Sequence, residues 1–188
     1  CDLAVPEPVV AAARAAIDAG DNSYSRHDGT LQLREALAGK YERNYGLSVD
    51  PETNIVVSAG ATGALYCACL ALLEKGDEVL LFEPYYSYHE STIVATQGVP
   101  VFVPTHAPDW SFSMDDLEKA VTSRTRAIIV NTPSNPSGKV WSREEMENIA
   151  AFSARHDLFV FTDEIYEHFI FDGGEHISAA NSVHGAAT

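Results

Sequence analysis

From residue 54 onward the sequence alternates short apolar runs with helical stretches, and this alternation constrains the fold more than any other feature. The runs occupy 54–58, 78–82, 101–104, 127–131 and 158–162. Strands that alternate with helices cannot pair as hairpins; they form a mostly parallel sheet with helices on both faces. The expected architecture is therefore a three-layer α/β/α domain. The helix expected at 61–75 is almost wholly apolar, which predicts burial, and Gly76 with Asp77 should end it. Ser113 with Asp116 and Ser142 with Glu145 read as helix starts, the second as a capping box. Ahead of the alternation, an alanine-rich helix is expected at 9–19, a polar loop at 21–29 and an amphipathic helix at 30–45 ending at Gly46. A turn is expected at 172–175.

In a parallel sheet the segments that follow the strands gather along one edge, where such sheets bind ligands. The most informative of them is Phe-Val-Phe-Thr-Asp-Glu-Ile-Tyr at 159–166, an apolar run of the kind buried on both faces, with Asp163 at its exit. Alone, Asp163 also fits a turn cap. After 54–58 come Ala59, Gly60, Ala61, Thr62 and Gly63, small residues opening a helix, whose free N–H groups and dipole suit a phosphate as well as tight packing. After 127–131 comes Thr132-Pro-Ser-Asn135-Pro-Ser-Gly138, a rigid loop presenting one amide, although Asn before Pro also starts turns. After 78–82 stand Tyr85, Tyr86 and Tyr88, suited to stack on a planar ring or to pack on a helix. A phosphate nest, an aromatic face, an amide, a carboxylate and the phenol of Tyr166 together fit a planar, phosphorylated, basic heterocycle.

A net charge of −15 disfavours nucleic acid, acidic membranes and other polyanions as partners. No apolar run is long enough to span a bilayer and no signal core opens the sequence, so a cytoplasmic setting is expected. Cys67 and Cys69 diverge on a helix and read as small buried apolar residues. His27, His89 and His176 read as surface or turn residues, and no metal site is expected because helical His-x-x-x-His spacing is missing. A serine hydrolase is excluded by the lack of a Gly-x-Ser-x-Gly elbow.

Four stretches in this order, Ser58-x-Gly-Ala-Thr62, Glu83-Pro-x-Tyr86, Asn131-x-Pro-x-Asn135-Pro-Ser-Gly138 and Asp163-Glu-Ile-Tyr166, resemble the class I/II aminotransferases of fold type I. The resemblance covers nearly the whole chain. It implies pyridoxal 5'-phosphate (PLP) as cofactor, with the backbone at Gly60, Ala61 and Thr62 on its phosphate and Tyr86 stacked on its ring. Asn135 and Tyr166 would hydrogen-bond the ring oxygen, and Asp163 would pair with the ring nitrogen. Asp163 and Tyr166 are the catalytic candidates. Tyr24 matches a tyrosine that reaches the phosphate of a neighbouring subunit, implying a homodimer.

The family also uses a lysine that holds PLP as a Schiff base, in a Ser-x-x-Lys setting. Lys40, Lys75, Lys119 and Lys139 lack that setting, and Lys139, in a turn, should point to solvent. The sequence, which begins without Met, therefore reads as the central part of a longer protein and is expected to be inactive alone. Residues 1–49 would lead into the large domain, and 50–188 would form its PLP-binding part, incomplete at both ends. The implied activity moves an amino group between an L-amino acid and a 2-oxo acid. A PLP-dependent C–S lyase, an aminocyclopropane carboxylate synthase or a PLP-sensing regulatory domain would keep the same cofactor residues.

Overall fold

A computed structural model describes residues 4–180. The elements follow one another as α1 (Glu7–Asp18), α2 (Leu31–Tyr45), α3 (Gly60–Leu72), β1 (Glu78–Glu83), α4 (Ser87–Ala95), β2 (Val99–Pro104), α5 (Met114–Ala120), β3 (Thr125–Asn131), α6 (Arg143–Arg155) and β4 (Phe159–Asp163). The strands form one sheet in the order β2-β1-β3-β4, and every pairing is parallel. The expected α/β/α architecture is therefore present.

Side chains alternate across a strand, so an apolar run without polar interruptions must feed a core on each face. Leu80, Phe82, Ile128 and Val130 face one way and pack with Leu117 of α5 and with Met146, Ile149 and Phe152 of α6. Val79, Leu81, Ala127 and Ile129 face the other way and meet Cys69 of α3 and Ile93 of α4. Helix α6 buries Met146, Ile149, Ala150 and Ser153, one stripe at helical spacing. Its capping box is complete: the Glu145 N–H donates to Ser142 Oγ at 3.2 Å and the Ser142 N–H donates to Glu145 Oε2 at 2.8 Å. Ser142→Ala should cost about 1 kcal/mol, which for a domain of this size lowers Tm by roughly 2–4 °C. A thermal melt of the variant checks it.

Several expectations are corrected. Residues 54–58 join no strand among the described residues; the Val57 N–H donates instead to the carbonyl of Asp28 at 3.0 Å. An apolar run becomes a strand only where a neighbouring backbone offers a ladder. Helix α3 ends three residues early and is mostly exposed, with Leu70 and Leu72 open to solvent and Cys69 its one fully buried side chain. Cys67 is exposed, because its direction on the helix differs from that of Cys69. Strand β4 is not buried on both faces: it is the last strand in the order, and Phe159 is 46% exposed. Helix α4 was not anticipated, because Thr92, Ile93 and Val94 are β-branched and weaken the helical signal.

The polar loop at 21–29 is held from beneath by Arg34, which is fully buried. Its guanidinium donates to the carbonyl of Pro51 and lies 3.4 Å from carboxylate oxygens of both Asp28 and Glu52. Helix α1, by contrast, buries none of its side chains.

Candidate functional site

The carboxyl ends of β1, β3 and β4 converge with the amino end of α3 around a cavity of about 210 Å³. Gly60, Ala61, Thr62, Tyr86, Asn135, Asp163 and Tyr166 all line it, so four separate stretches of sequence meet there as expected. Tyr24 does not join them; it stands fully exposed on the loop after α1.

Each wall has a local cause. Gly60 adopts φ +73°, a left-handed conformation that other residues enter at a cost, and it turns the chain after 54–58 into α3. Helix α3 has no side-chain cap, so the N–H groups of Ala61 and Thr62 in its first turn lack intrahelical partners. The loop after β3 is closed by the Gly138 N–H to the Ser134 carbonyl at 2.8 Å, with Gly138 also left-handed. Tyr85 points away from the cavity, stacks on Phe102 at 5.2 Å and donates its hydroxyl to Glu90, which leaves Tyr86 and Tyr88 at the wall.

Asp163 is the electrostatic centre. Its Oδ2 accepts from His89 Nε2 at 3.0 Å and its Oδ1 accepts from the Ile165 N–H at 3.2 Å. Burial pushes this carboxyl up, but the hydrogen bonds from His89 and Ile165 outweigh burial and hold its pKa below the ordinary carboxylate value. An ionised carboxylate only accepts, so His89 Nε2 carries the proton. His89 is buried and also meets the Tyr86 ring edge-on at 5.6 Å. It was expected at the surface; α4 instead carries it inward, one helical turn beyond Tyr86. His176 is corrected too, since its largely buried side chain bonds Glu164 at 2.9 Å, while the same carboxylate accepts from Ser178 and the Ala179 N–H. His27 is exposed as expected.

Lys139 does not point to solvent. Its ammonium, on a side chain 8% exposed, pairs with Glu145 at 2.7 Å and lies 5.0 Å over the Trp141 ring. An adjoining cavity of about 500 Å³ between α2, α3 and β4 shares Asp163 and Ile165, and contains Lys40 paired with Glu167. No described lysine lines the first cavity. Among the described residues, no cluster of His, Cys, Asp or Glu is arranged to hold a metal, and no helix is long and apolar enough to cross a membrane.

Comparison with known proteins adds a third line. The sequence model described as aminotransferase class I and II matches residues 1–187. Aromatic-amino-acid aminotransferase 2 of Thermococcus litoralis is 38% identical over 181 residues, covering 96% of this chain and 46% of the relative. The solved N-succinyldiaminopimelate aminotransferase of Mycobacterium tuberculosis superposes with a TM-score of 0.92 at 40% identity, over 95% of this chain and 47% of that one. Aspartate aminotransferase of Thermus thermophilus, solved with maleate, superposes with a TM-score of 0.90 at 38% identity, over 97% of this chain and 47% of that one. The chain spans about half the length of the curated relatives it matches.

Proposed function

The chain belongs to the class I and II aminotransferases, whose members depend on pyridoxal 5'-phosphate, and from that premise we propose that the whole protein moves an amino group between an L-amino acid and a 2-oxo acid. The carrying observation is the convergence of Thr62, Tyr86, Asn135, Asp163 and Tyr166 on one cavity.

The chemistry of these groups fits PLP. The uncapped first turn of α3 offers the N–H groups of Ala61 and Thr62 and the positive end of the helix dipole to a phosphate, with Gly60 giving the turn its shape. The Thr62 hydroxyl adds a donor. The side-chain amide of Asn135 and the phenol of Tyr166 are spent on no other described residue, and both are donors suited to a ring oxygen. Asp163, kept ionised, suits a protonated ring nitrogen. Tyr86 supplies an aromatic face for the ring.

Bound there, PLP supplies a cationic ring that draws electrons from the substrate carbon. The protein's part is to hold that ring and its charge. Asp163 favours the protonated nitrogen, and His89 keeps Asp163 ionised by donating to Oδ2. His89→Leu leaves burial to act on Asp163 with one hydrogen bond fewer, so its pKa rises. The acid limb of the pH profile of kcat/KM should then move to higher pH, and a profile that does not move contradicts this role for His89.

In the same reading residues 1–49 lead into the large domain, and 50–188 form its PLP-binding part. Tyr24, fully exposed, is free to reach the cofactor of a second copy in a homodimer. The partners are small amino and 2-oxo acids, with no nucleic acid or membrane. In the same reading the setting is cytoplasmic.

The test uses the purified whole protein with PLP. Its absorbance should change when PLP binds and again when an accepted amino acid is added, releasing one equivalent of 2-oxo acid per site. Turnover should begin once a second 2-oxo acid is supplied. PLP binding without release of 2-oxo acid from any amino acid overturns the transamination reading, and failure to bind PLP overturns the site.

A further inference from the structure

We propose that Asn131 is a positioning residue that ties the loop presenting Asn135 to the strand end presenting Asp163, so that the two sides of the cavity keep one geometry. The proposal rests on the reading of this cavity as the PLP site. Asn131 is the last residue of β3 and lies in register with Asp163 on β4. Its side chain is divided between the two: Nδ2 donates to the main-chain carbonyl of Asp163 at 2.9 Å, and Oδ1 accepts from the Asn135 N–H at 2.7 Å.

The terminal amide is planar, so these two bonds move as one unit. A shift of Asn135 is thereby transmitted to the backbone of Asp163. The main chain of Asn131 is itself anchored, because its carbonyl accepts from Trp141 Nε1 at 2.9 Å and the Trp141 indole sits 4.6 Å from Phe82 in the core. One residue therefore links core, loop and strand end.

The residue type follows from the inventory of donors and acceptors. The position needs one donor and one acceptor on a short rigid arm. Aspartate would set a second acceptor against the Asp163 carbonyl, glutamine would overreach, and alanine would leave both partners without it. The Thr132 N–H also donates to the Asp163 carbonyl at 3.0 Å, so loss of Asn131 leaves the strand end partly held while the Asn135 N–H loses its bond. The larger consequence falls on Asn135.

The experiment compares Asn131→Ala, Asn135→Ala and the double variant in the whole protein, with Asn131→Ser measured beside them so that poor folding of the alanine variant does not decide the matter. In the PLP-free protein, amide exchange at Asn135 should quicken about tenfold in Asn131→Ala while β1 and α6 stay protected. With PLP, the pH midpoint of the cofactor's absorbance should shift in the same direction as in Asn135→Ala. In the Asn135→Ala background the Asn131 substitution should add little further shift, since its larger effect acts through the missing side chain and the Thr132 N–H still holds the Asp163 carbonyl. The kcat should fall about tenfold with KM for the amino acid within about twofold, the effect of a small misplacement. Unchanged exchange at Asn135, or shifts that add in the double variant, overturns the positioning role alone. An Asn135→Ala protein whose cofactor absorbance is unaltered overturns the PLP reading of the cavity and the role of Asn131 with it.

Discussion

Asp163→Asn should lower kcat of the whole protein about 10³-fold, the scale of removing one preorganised charge from a reacting site, while the fold survives. The amide has the shape of the carboxylate and keeps an oxygen to accept from the Ile165 N–H, but it carries no charge to favour a protonated ring nitrogen. Retention of fold is read from circular dichroism and the loss from steady-state rates with the best amino acid found. A variant within tenfold of wild type would remove Asp163 from the centre of the chemistry. The same substitution has a second signature. Because the folded pKa of Asp163 lies below its unfolded value, the carboxylate contributes stability that is fully present above the ordinary carboxylate pKa and is lost as pH falls through the lowered one. Asp163→Asn should therefore flatten the fall in melting temperature below roughly pH 4.

Trp141→Ala should cost about 3–5 kcal/mol, the range for emptying a large aromatic site in a core, out of a total of about 5–15. Trp141 is 2% exposed and packs against Phe82 and Phe112 at ring distances of 4.6 and 5.3 Å. Its loss also strips the Lys139 ammonium of its aromatic face and the Asn131 carbonyl of its donor. Trp141→Phe refills most of the space and loses chiefly the hydrogen bond, so its cost should be about 1–3 kcal/mol. Denaturant unfolding of both variants separates packing from hydrogen bonding. If phenylalanine proves as damaging as alanine, the indole N–H matters more than the packing described above.

The sheet was legible where a strand's apolar run is continuous, as in β1 and β3, because burial on two faces leaves no alternation to misread. The caps of α5 and α6 were legible because a serine just ahead of a helix satisfies a first-turn N–H group, and in α6 Glu145 at fixed spacing returns the bond. The cavity residues were legible because turns built from Gly, Pro and Asn carry Gly60, Tyr86 and Asn135, and because Asp163 closes an apolar run with Tyr166 just beyond it. The reading failed where a residue's surroundings come from elsewhere in the chain. Residues 54–58 have a strand's composition but no described neighbour to pair with, and α3 has the composition of a buried helix with only one side packed. His89 follows Tyr86 by a single helical turn, yet its partner Asp163 lies 74 residues on and only the crossing of α4 over the sheet unites them. The charge of Lys139 points to solvent, whereas its ammonium lies over an indole that sequence spacing does not reveal.

The cavity is lined mainly by strand ends, the connections that follow them and the first turns of α3 and α4, while most of both cores comes from strand interiors and helix stripes. That division separates two populations of sequence change. A lineage can lengthen, shorten or recolour the connections after β1, β3 and β4 and so alter which small molecules fit, without having to solve the packing of Leu80, Ile128 or Phe152 again. Asn131 and Trp141 lie where the two populations meet, which makes them the positions where drift in one is felt by the other.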